Sequence, residues 1–461
     1  MSSRLTRGAA RGHIRRMALP AAVGLFCNTL FNITDTFYAG WIATEAQAAL
    51  AFAFPLYFLQ LSLCIGVLQA VTTKVAAAAG AKNMHLARRL TGQGAVLGAL
   101  TVVLIWLVLL PSADGMLLTL GAAGDARTLA AEYIGVIFAG APAFVGAFAI
   151  NGALHSVGNT TAFRNSIAAA TAANLVLDPA LMFGWFGLPA LGIAGIGWAT
   201  VIAQGGCALY MLLALARSPL ARDFRREFLR PDGRLLRELT AQTLSPTGRM
   251  LCINAGFFII TGFLGHFGPA AVAGYGIALR MEQLFLLPTI GMESAMLAYA
   301  GQNFGARQPA RVAAAYMLCL RRGFAIMAAG AAVMLFGGEF LVGLFNEDAE
   351  VRRQGALYLR LAAASGALYV ILNVAGAVFL AAGRHTIILT INVLRLTAAP
   401  ALLAYLLAIV LDAGVSGIWI GIFLCNAAAA LYAHFRCLRE IRARKSAAPP
   451  SKSVKNATGA Q

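Results

Sequence analysis

Residues 90–110 read LTGQGAVLGALTVVLIWLVLL, a run with no charged side chain. About 20 consecutive apolar residues suffice for a helix to cross roughly 30 Å of hydrocarbon, so the run is read as a transmembrane helix. Working outward from it, five more spans are predicted in the first half of the chain, at 17–40, 47–73, 133–155, 164–185 and 193–215. Six follow in the second half, at 247–267, 271–300, 323–345, 358–382, 387–411 and 414–436. Composition points the same way, because 60% of the 461 residues are hydrophobic and only 12% are charged, about half the charged share of a soluble domain. No soluble fold could cover that much apolar surface, and twelve spans with short connections leave no room for a large soluble domain.

In a soluble protein a formal charge of +18 would suggest a nucleic acid or another acidic partner. Its placement excludes that reading here. Of the 36 Lys and Arg residues, 29 lie on the N-terminal segment, on alternate connections and on the C-terminal segment. The opposite connections carry only Arg127, Arg352, Arg353 and Arg360, and Arg249, Arg280 and Arg395 fall at or within spans. Positive charge marks the cytoplasmic side of a membrane protein, so both termini are expected in the cytoplasm of a multi-pass protein of the plasma (inner) membrane. The seven cysteines show no CxxC and no Cys/His ligand spacing, which fits core packing. The first apolar run is long and interrupted by asparagines and an aspartate, unlike a signal peptide.

Residues 216–239, ARSPLARDFRREFLRPDGRLLREL, form the longest charged connection and divide the spans six and six. The expected layout is a basic cytoplasmic arm at 1–16, a six-helix lobe at 17–215 and a cytoplasmic linker at 216–246. A second six-helix lobe follows at 247–438, then a basic disordered tail at 439–461. The halves repeat one another. At an offset of 225 residues Gly40 meets Gly265, Gly66 meets Gly291, Gly80-Ala81 meets Gly305-Ala306, Tyr133 meets Tyr358 and Gly158 meets Gly383. Later the offset slips, so that Pro179 meets Pro400 at 221 and GIAGI (192–196) meets GVSGI (414–418) at 222. Six spans per half make the repeat parallel, with an axis along the membrane normal. The expected fold class is therefore an all-α membrane protein of twelve helices in two homologous lobes.

A carboxylate at the bilayer centre costs at least about 2.5–3.5 kcal/mol on insertion scales. Four lie inside predicted spans: Asp35, Asp178, Glu282 and Glu293. Asn28, Asn32 and Asp35 fall on one helical face, and Thr171, Asn174 and Asp178 repeat that spacing on the fifth span. Two such stripes in one half suggest a shared site able to hold a proton or coordinate a sodium ion. Interhelical hydrogen bonds average only about 0.6 kcal/mol in a membrane, which accounts for an asparagine or threonine but not for an aspartate. The second half lacks the site, since Asp35 maps onto Ile260 and Asp178 onto Ala399. Burial disfavours the charged form of a carboxyl, so Asp35 and Asp178 are candidates to bind and release a proton. Pro20, fifteen residues before Asp35, weakens its helix by removing a backbone hydrogen bond. Glu282 and Glu293 share a face; they either pair with Arg280 or Arg395, or line a cavity that attracts cationic cargo.

At these residues the chain resembles the multidrug and toxic compound extrusion transporters, in the prokaryotic branch related to the DNA-damage-inducible protein F. The likeness runs from about Pro20 to about Leu438. It is carried by FNITDTFYAGWI (31–42), Gly80-Ala81, NGALHSVGNT (151–160), NLVLDPALMFG (174–184), GIAGIGWAT (192–200) and GQNFGAR (301–307). The resemblance implies that Asp35, Asp178 and Asn174 form the cation site of the first lobe, with Asn151 and Thr200 as companions, and that α-helix one bends at Pro20 on protonation. Another branch uses acidic ligands on helices seven and ten, but the spans at 247–267 and 358–382 contain no Asp or Glu.

Together these features predict a secondary transporter, acting as a monomer without a resident cofactor or firm metal site. It would exchange small cationic or amphipathic molecules for H+ or Na+ through two rocking lobes. A flippase or exporter of lipid-linked saccharides shares the architecture and is the alternative; an arginine-lined cavity would favour it. An intramembrane enzyme is a distant third, because no HExxH, no GxSxG and no histidine pair at ligand spacing occurs.

Overall fold

The computed structural model describes residues 4–42 and 44–446. Helices dominate and no strand occurs among the described residues. In chain order the first six spans are α1 (Ala10–Ile42), α2 (Thr44–Gly80), α3 (Met84–Thr119), α4 (Gly124–Ala139 with Ala141–Ser156, bent by 47°), α5 (Thr161–Phe183) and α6 (Gly192–Ala216). The last six are α7 (Gly233–Gly265), α8 (Pro269–Gly305), α9 (Pro309–Gly343), α10 (Ala349–Ala381), α11 (His385–Val410) and α12 (Gly414–Ser446). Ten of these helices are singly long and apolar enough to cross a membrane, and the bent α4 makes an eleventh. The twelfth, α1, carries no charged residue from Met17 to Thr34, is continuous through Pro20 and packs against α5 and α8.

Helices α1–α6 and α7–α12 form two homologous lobes, each with its own apolar interior. Around Ile134, Ile137, Phe138 and Phe144 in the first lobe, and around Tyr299, Tyr316 and Phe379 in the second, side chains are fully covered. The outer surface is equally apolar. Phe336 is 92% exposed, Leu107 72% and Leu411 68%, an arrangement that water would penalise and lipid does not.

Most helices outrun the expected spans, α3 to Thr119, α9 from Pro309 and α10 from Ala349 among them, and three of the extensions enter the segments expected to be arm, linker and tail. Helix α7 begins at Gly233, where the Asp232 carboxylate accepts from the amides of Arg234 (3.0 Å) and Leu235 (3.1 Å) and so caps the helix. The second part of the 216–246 connection is thus helical, with Leu239 buried below α2 and α3. The connection is also clamped: Gln93 of α3 donates to the carbonyls of Phe228 (2.8 Å) and Arg230 (2.7 Å) and accepts from the Asp232 amide (2.9 Å). Helix α12 runs on to Ser446, so residues 439–446, expected to be disordered, are helical. Arg444 there stacks over Phe304 and donates to the Ala382 carbonyl at 2.7 Å; residues 447–461 lie outside the described part. At the other end α1 starts at Ala10, within the expected arm. Hydropathy marks where a helix enters hydrocarbon, whereas charged turns can continue it into water.

The lobes meet through α1 and α2 on one side and α7 and α8 on the other, over the half of the bundle that carries the basic connections. Small residues permit this approach. A Cβ on Gly80 would overlap the backbone of Gln302, and one on Gly291 would sit 2.6 Å from the Ala18 carbonyl oxygen. Across the seam Thr247 donates to the Ser62 carbonyl (3.1 Å), Gln302 to the Ser156 carbonyl (2.6 Å), and Ser294 bonds His155 (3.0 Å). Gly291 lies 14 residues from the end of α8, about 21 Å along the axis, so the seam reaches the middle of the bundle.

A Gly80→Val substitution should therefore disfavour the closed seam, since forced overpacking costs about 1–3 kcal/mol. Spin labels at His85 and Ala310, in a background freed of the native cysteines, should report longer distances in this variant than in the parent. Identical distance distributions would show that the glycine contact does not control closure.

Candidate functional site

Helices α1, α5 and α6 position the groups of the first lobe. The Tyr38 hydroxyl donates to the Leu175 carbonyl (3.0 Å) and Thr171 to the Cys27 carbonyl (3.1 Å), which fixes α1 against α5 and turns their polar stripes toward one another. Asp35 is 5% exposed, while Asn174 and Asp178 are fully buried. Thr200 of α6 donates to Asp35 Oδ2 at 3.2 Å, and Asn174 Nδ2 donates to Asp178 Oδ1. The two carboxyls lie within hydrogen-bonding reach of each other.

Asp35 Oδ1, Asp178 Oδ2 and Asn174 Oδ1 are buried without a donor. Acceptor oxygens left unmatched in a low-dielectric interior are costly. Two carboxylates in contact also repel, and a proton or a cation between them lifts that repulsion. The cluster therefore has the chemistry of a cation site, with three oxygen acceptors left free once Thr200 and Asn174 have donated.

Of the other residues singled out in the sequence, Asn28 and Asn151 line a small void between α1, α4, α5 and α6 together with Gln204, and Asn151 Oδ1 is unpartnered there. Asn32 donates to the Asn28 carbonyl on its own helix (2.8 Å). Pro20 is buried on the turn of α1 whose Ala18 and Ala22 pack on Gly291 of α8. Tyr57 and Tyr133 were missed, although both stand close enough to Asp35 to feel its charge. An isolated tyrosine in an apolar run leaves no pattern; the Tyr133–Tyr358 match in the repeat was the one available signal.

In the second lobe the expected pairings are replaced by others. Glu293 pairs with Arg249 of α7 at 2.8 Å, and Glu282 accepts from the Tyr358 hydroxyl at 2.5 Å. Arg280 is exposed and joins neither, and Arg395 is held by Asn426 and Asn392. The physical reason is azimuthal: on α8 these carboxylates face α7 and α10, not the side on which Arg280 lies. No cluster of three or more His, Cys, Asp or Glu suited to a metal occurs among the described residues.

Twelve hydrocarbon-spanning helices in two repeat-related lobes, with ionisable groups gathered inside the lobes, define a two-lobe membrane transporter. The MatE family model matches the chain twice, over residues 20–180 and 247–406, once in each lobe, and the chain belongs to that family. It is 29% identical over 442 residues to a probable multidrug resistance protein NorM of Pseudomonas syringae, covering 91% of this chain and 93% of the relative. It is 27% identical over 350 residues to an FAD transporter of Shewanella oneidensis, covering 74% and 76%. Among solved structures, an outward-facing multidrug resistance MATE family transporter of the MOP superfamily superposes with a TM-score of 0.89 at 24% identity, covering 96% of this chain and 98% of that one.

Breaking the Arg249–Glu293 pair should test how firmly the second lobe depends on it. Removing one partner of a buried pair costs about 3–5 kcal/mol, and Arg249, 19% exposed, should recover part of that from water. Glu293→Gln is expected to lower the melting temperature of the detergent-solubilised protein clearly, and the double variant Glu293→Gln, Arg249→Gln to restore much of it. An unchanged melting temperature in the single variant would mean the pair contributes little.

Proposed function

We propose that this protein exports small organic molecules, cationic or amphipathic, in exchange for inward-moving H+ or Na+ bound at Asp35 and Asp178. The observation that carries this reading is the pair of neighbouring buried carboxyls, which together with Asn174 leave three acceptor oxygens without a donor. Asn174 and Thr200 orient the two carboxyls, and Asn151 with Asn28 and Asn32 extends the polar path through the lobe. The basic connections set both termini in the cytoplasm of a plasma (inner) membrane. The seam is then closed on the cytoplasmic side, and the present arrangement faces outward. On this reading the chain works as a monomer without a resident cofactor, as a transporter and not an enzyme.

Exchange follows from competition. With the carboxylates charged, cargo is held; an arriving proton or sodium ion neutralises them, releases cargo outside and returns when the lobes rock to open inward. Each 100 mV is worth about 2.3 kcal/mol per charge and each pH unit about 1.4 kcal/mol, so one proton supports a substantial outward gradient. The names of the relatives, a probable multidrug resistance protein and an FAD transporter, support a cargo of organic molecules.

Efflux of ethidium from everted vesicles, under separately imposed proton and sodium gradients, tests this. Wild type should transport under one of the two gradients, and Asp35→Asn and Asp178→Asn should each lose at least ten-fold in rate while keeping their expression level. Full activity in both variants would refute the site. Movement of lipid-linked saccharide with no gradient-driven dye efflux would favour the flippase.

A further inference from the structure

The repeat places a second polar cluster where the first lobe has its acidic one, and its sign is reversed. At the offset of 221 that pairs Pro179 with Pro400, Thr171 corresponds to Asn392, Asn174 to Arg395 and Asp178 to Ala399. At 222, Gln204 corresponds to Asn426. The acidic stripe of α5 is thus a basic stripe on α11.

Arg395 is 8% exposed and lies in a π turn, Leu394–Ala398, a distortion of the helix that recurs at functional sites. Its Nη1 donates to Asn426 Oδ1 (2.8 Å), its Nη2 to Asn392 Oδ1 (3.4 Å), and the guanidinium lies over Tyr369. Two buried donors remain without acceptors, Arg395 Nε and Asn392 Nδ2. The Arg249–Glu293 pair stands close enough for both charges to act on Arg395. Glu282, whose charge also reaches Tyr369, is engaged by Tyr358. The immediate cluster therefore holds two guanidinium groups against one carboxylate, a net positive charge in a region where an unbalanced ion is expensive. Internal packing does not account for it, because the cluster lacks the acceptor that would complete it.

We propose that the second lobe binds an oxyanion, a carboxylate or phosphate group on the cargo, at Arg395 and Asn392 with Arg249 at its rim. Guanidinium and amide donors match such a group in shape and charge. This rests on the transporter reading above and adds to its cargo molecules that carry an anionic group, alone or beside a cationic one.

Two xanthene dyes of similar size and opposite charge separate the possibilities: 5-carboxyfluorescein and rhodamine 6G. Fluorescence anisotropy with the purified full-length protein in nanodiscs reports binding, and everted vesicles report gradient-driven efflux of rhodamine 6G. Wild type should bind carboxyfluorescein. Arg395→Gln should weaken that binding at least ten-fold and leave rhodamine 6G binding within two-fold, with Arg395→Lys intermediate. Equal loss for both dyes in Arg395→Gln would mean a structural role and overturn the inference, as would no loss for either. Should Arg395→Gln fail to fold, Asn392→Leu takes its place with the same expectation. If rhodamine 6G is exported but carboxyfluorescein does not bind wild type, this inference falls alone; if neither gradient drives export, the exchange reading falls as well.

Discussion

Everything in this fold answers to the cost of an unbalanced charge or an unmatched hydrogen-bonding group in hydrocarbon. The twelve helices satisfy their own backbones, their outer faces are left to lipid, and most charged residues are confined to the two ends. The few ionisable groups that remain inside are the exceptions, and each lobe treats them differently. The first leaves three acceptor oxygens without donors at Asp35, Asn174 and Asp178. The second pairs Arg249 with Glu293 and leaves Arg395 and Asn392 with donors to spare.

Much of this was legible in the sequence, because the signals are large and local. Uncharged runs of about 20 residues gave the spans, and the 225-residue offset gave the duplication, which the family model repeats by matching each half. Stripe spacing on α1 and α5 brought Asp35, Asn174 and Asp178 to facing positions. What escaped was of a different kind. The extensions of α7 and α12 beyond the membrane have ordinary amphipathic composition, so a hydropathy reading ends too early. Partners across the second lobe depend on helix rotation: Glu293 found Arg249 and Glu282 found Tyr358, which no spacing within α8 could reveal. Tyr57 and Tyr133 carried no pattern at all.

Duplication explains how one chain came to hold both signs of charge. A parallel repeat sets equivalent interior positions in both lobes at the same depth and on opposite sides of the central axis. A symmetric pair of acidic sites would double the repulsion facing any anionic part of a cargo. Exchange of Asn174 and Asp178 for Arg395 and Ala399 at equivalent places gives the interior opposite signs of charge on its two sides.

On the exchange reading, the charge state of the first lobe must still reach the seam, and α1 is built to carry it. The helix is continuous from Ala10 to Ile42 and holds Asp35 at one level and Pro20 at another. Fifteen residues separate them, about 22 Å along the axis. At the level of Pro20 the helix meets α8 through Ala18, Ala22 and Gly291, and its first turns bury Ile14 and Met17 in the second lobe. The proline leaves α1 one backbone hydrogen bond short at that point, so the helix is softest where it crosses from one lobe to the other. Neutralising Asp35 removes its repulsion from Asp178 and allows α1 to close on α5, and a closing α1 shifts the same helix against Gly291. The seam that must then part combines close backbone contacts at Gly80 and Gly291 with Ile14 and Met17 buried in the second lobe and with bonds such as Gln302 to Ser156 and Lys74 to Glu238, so a shift of α1 acts on all of them together.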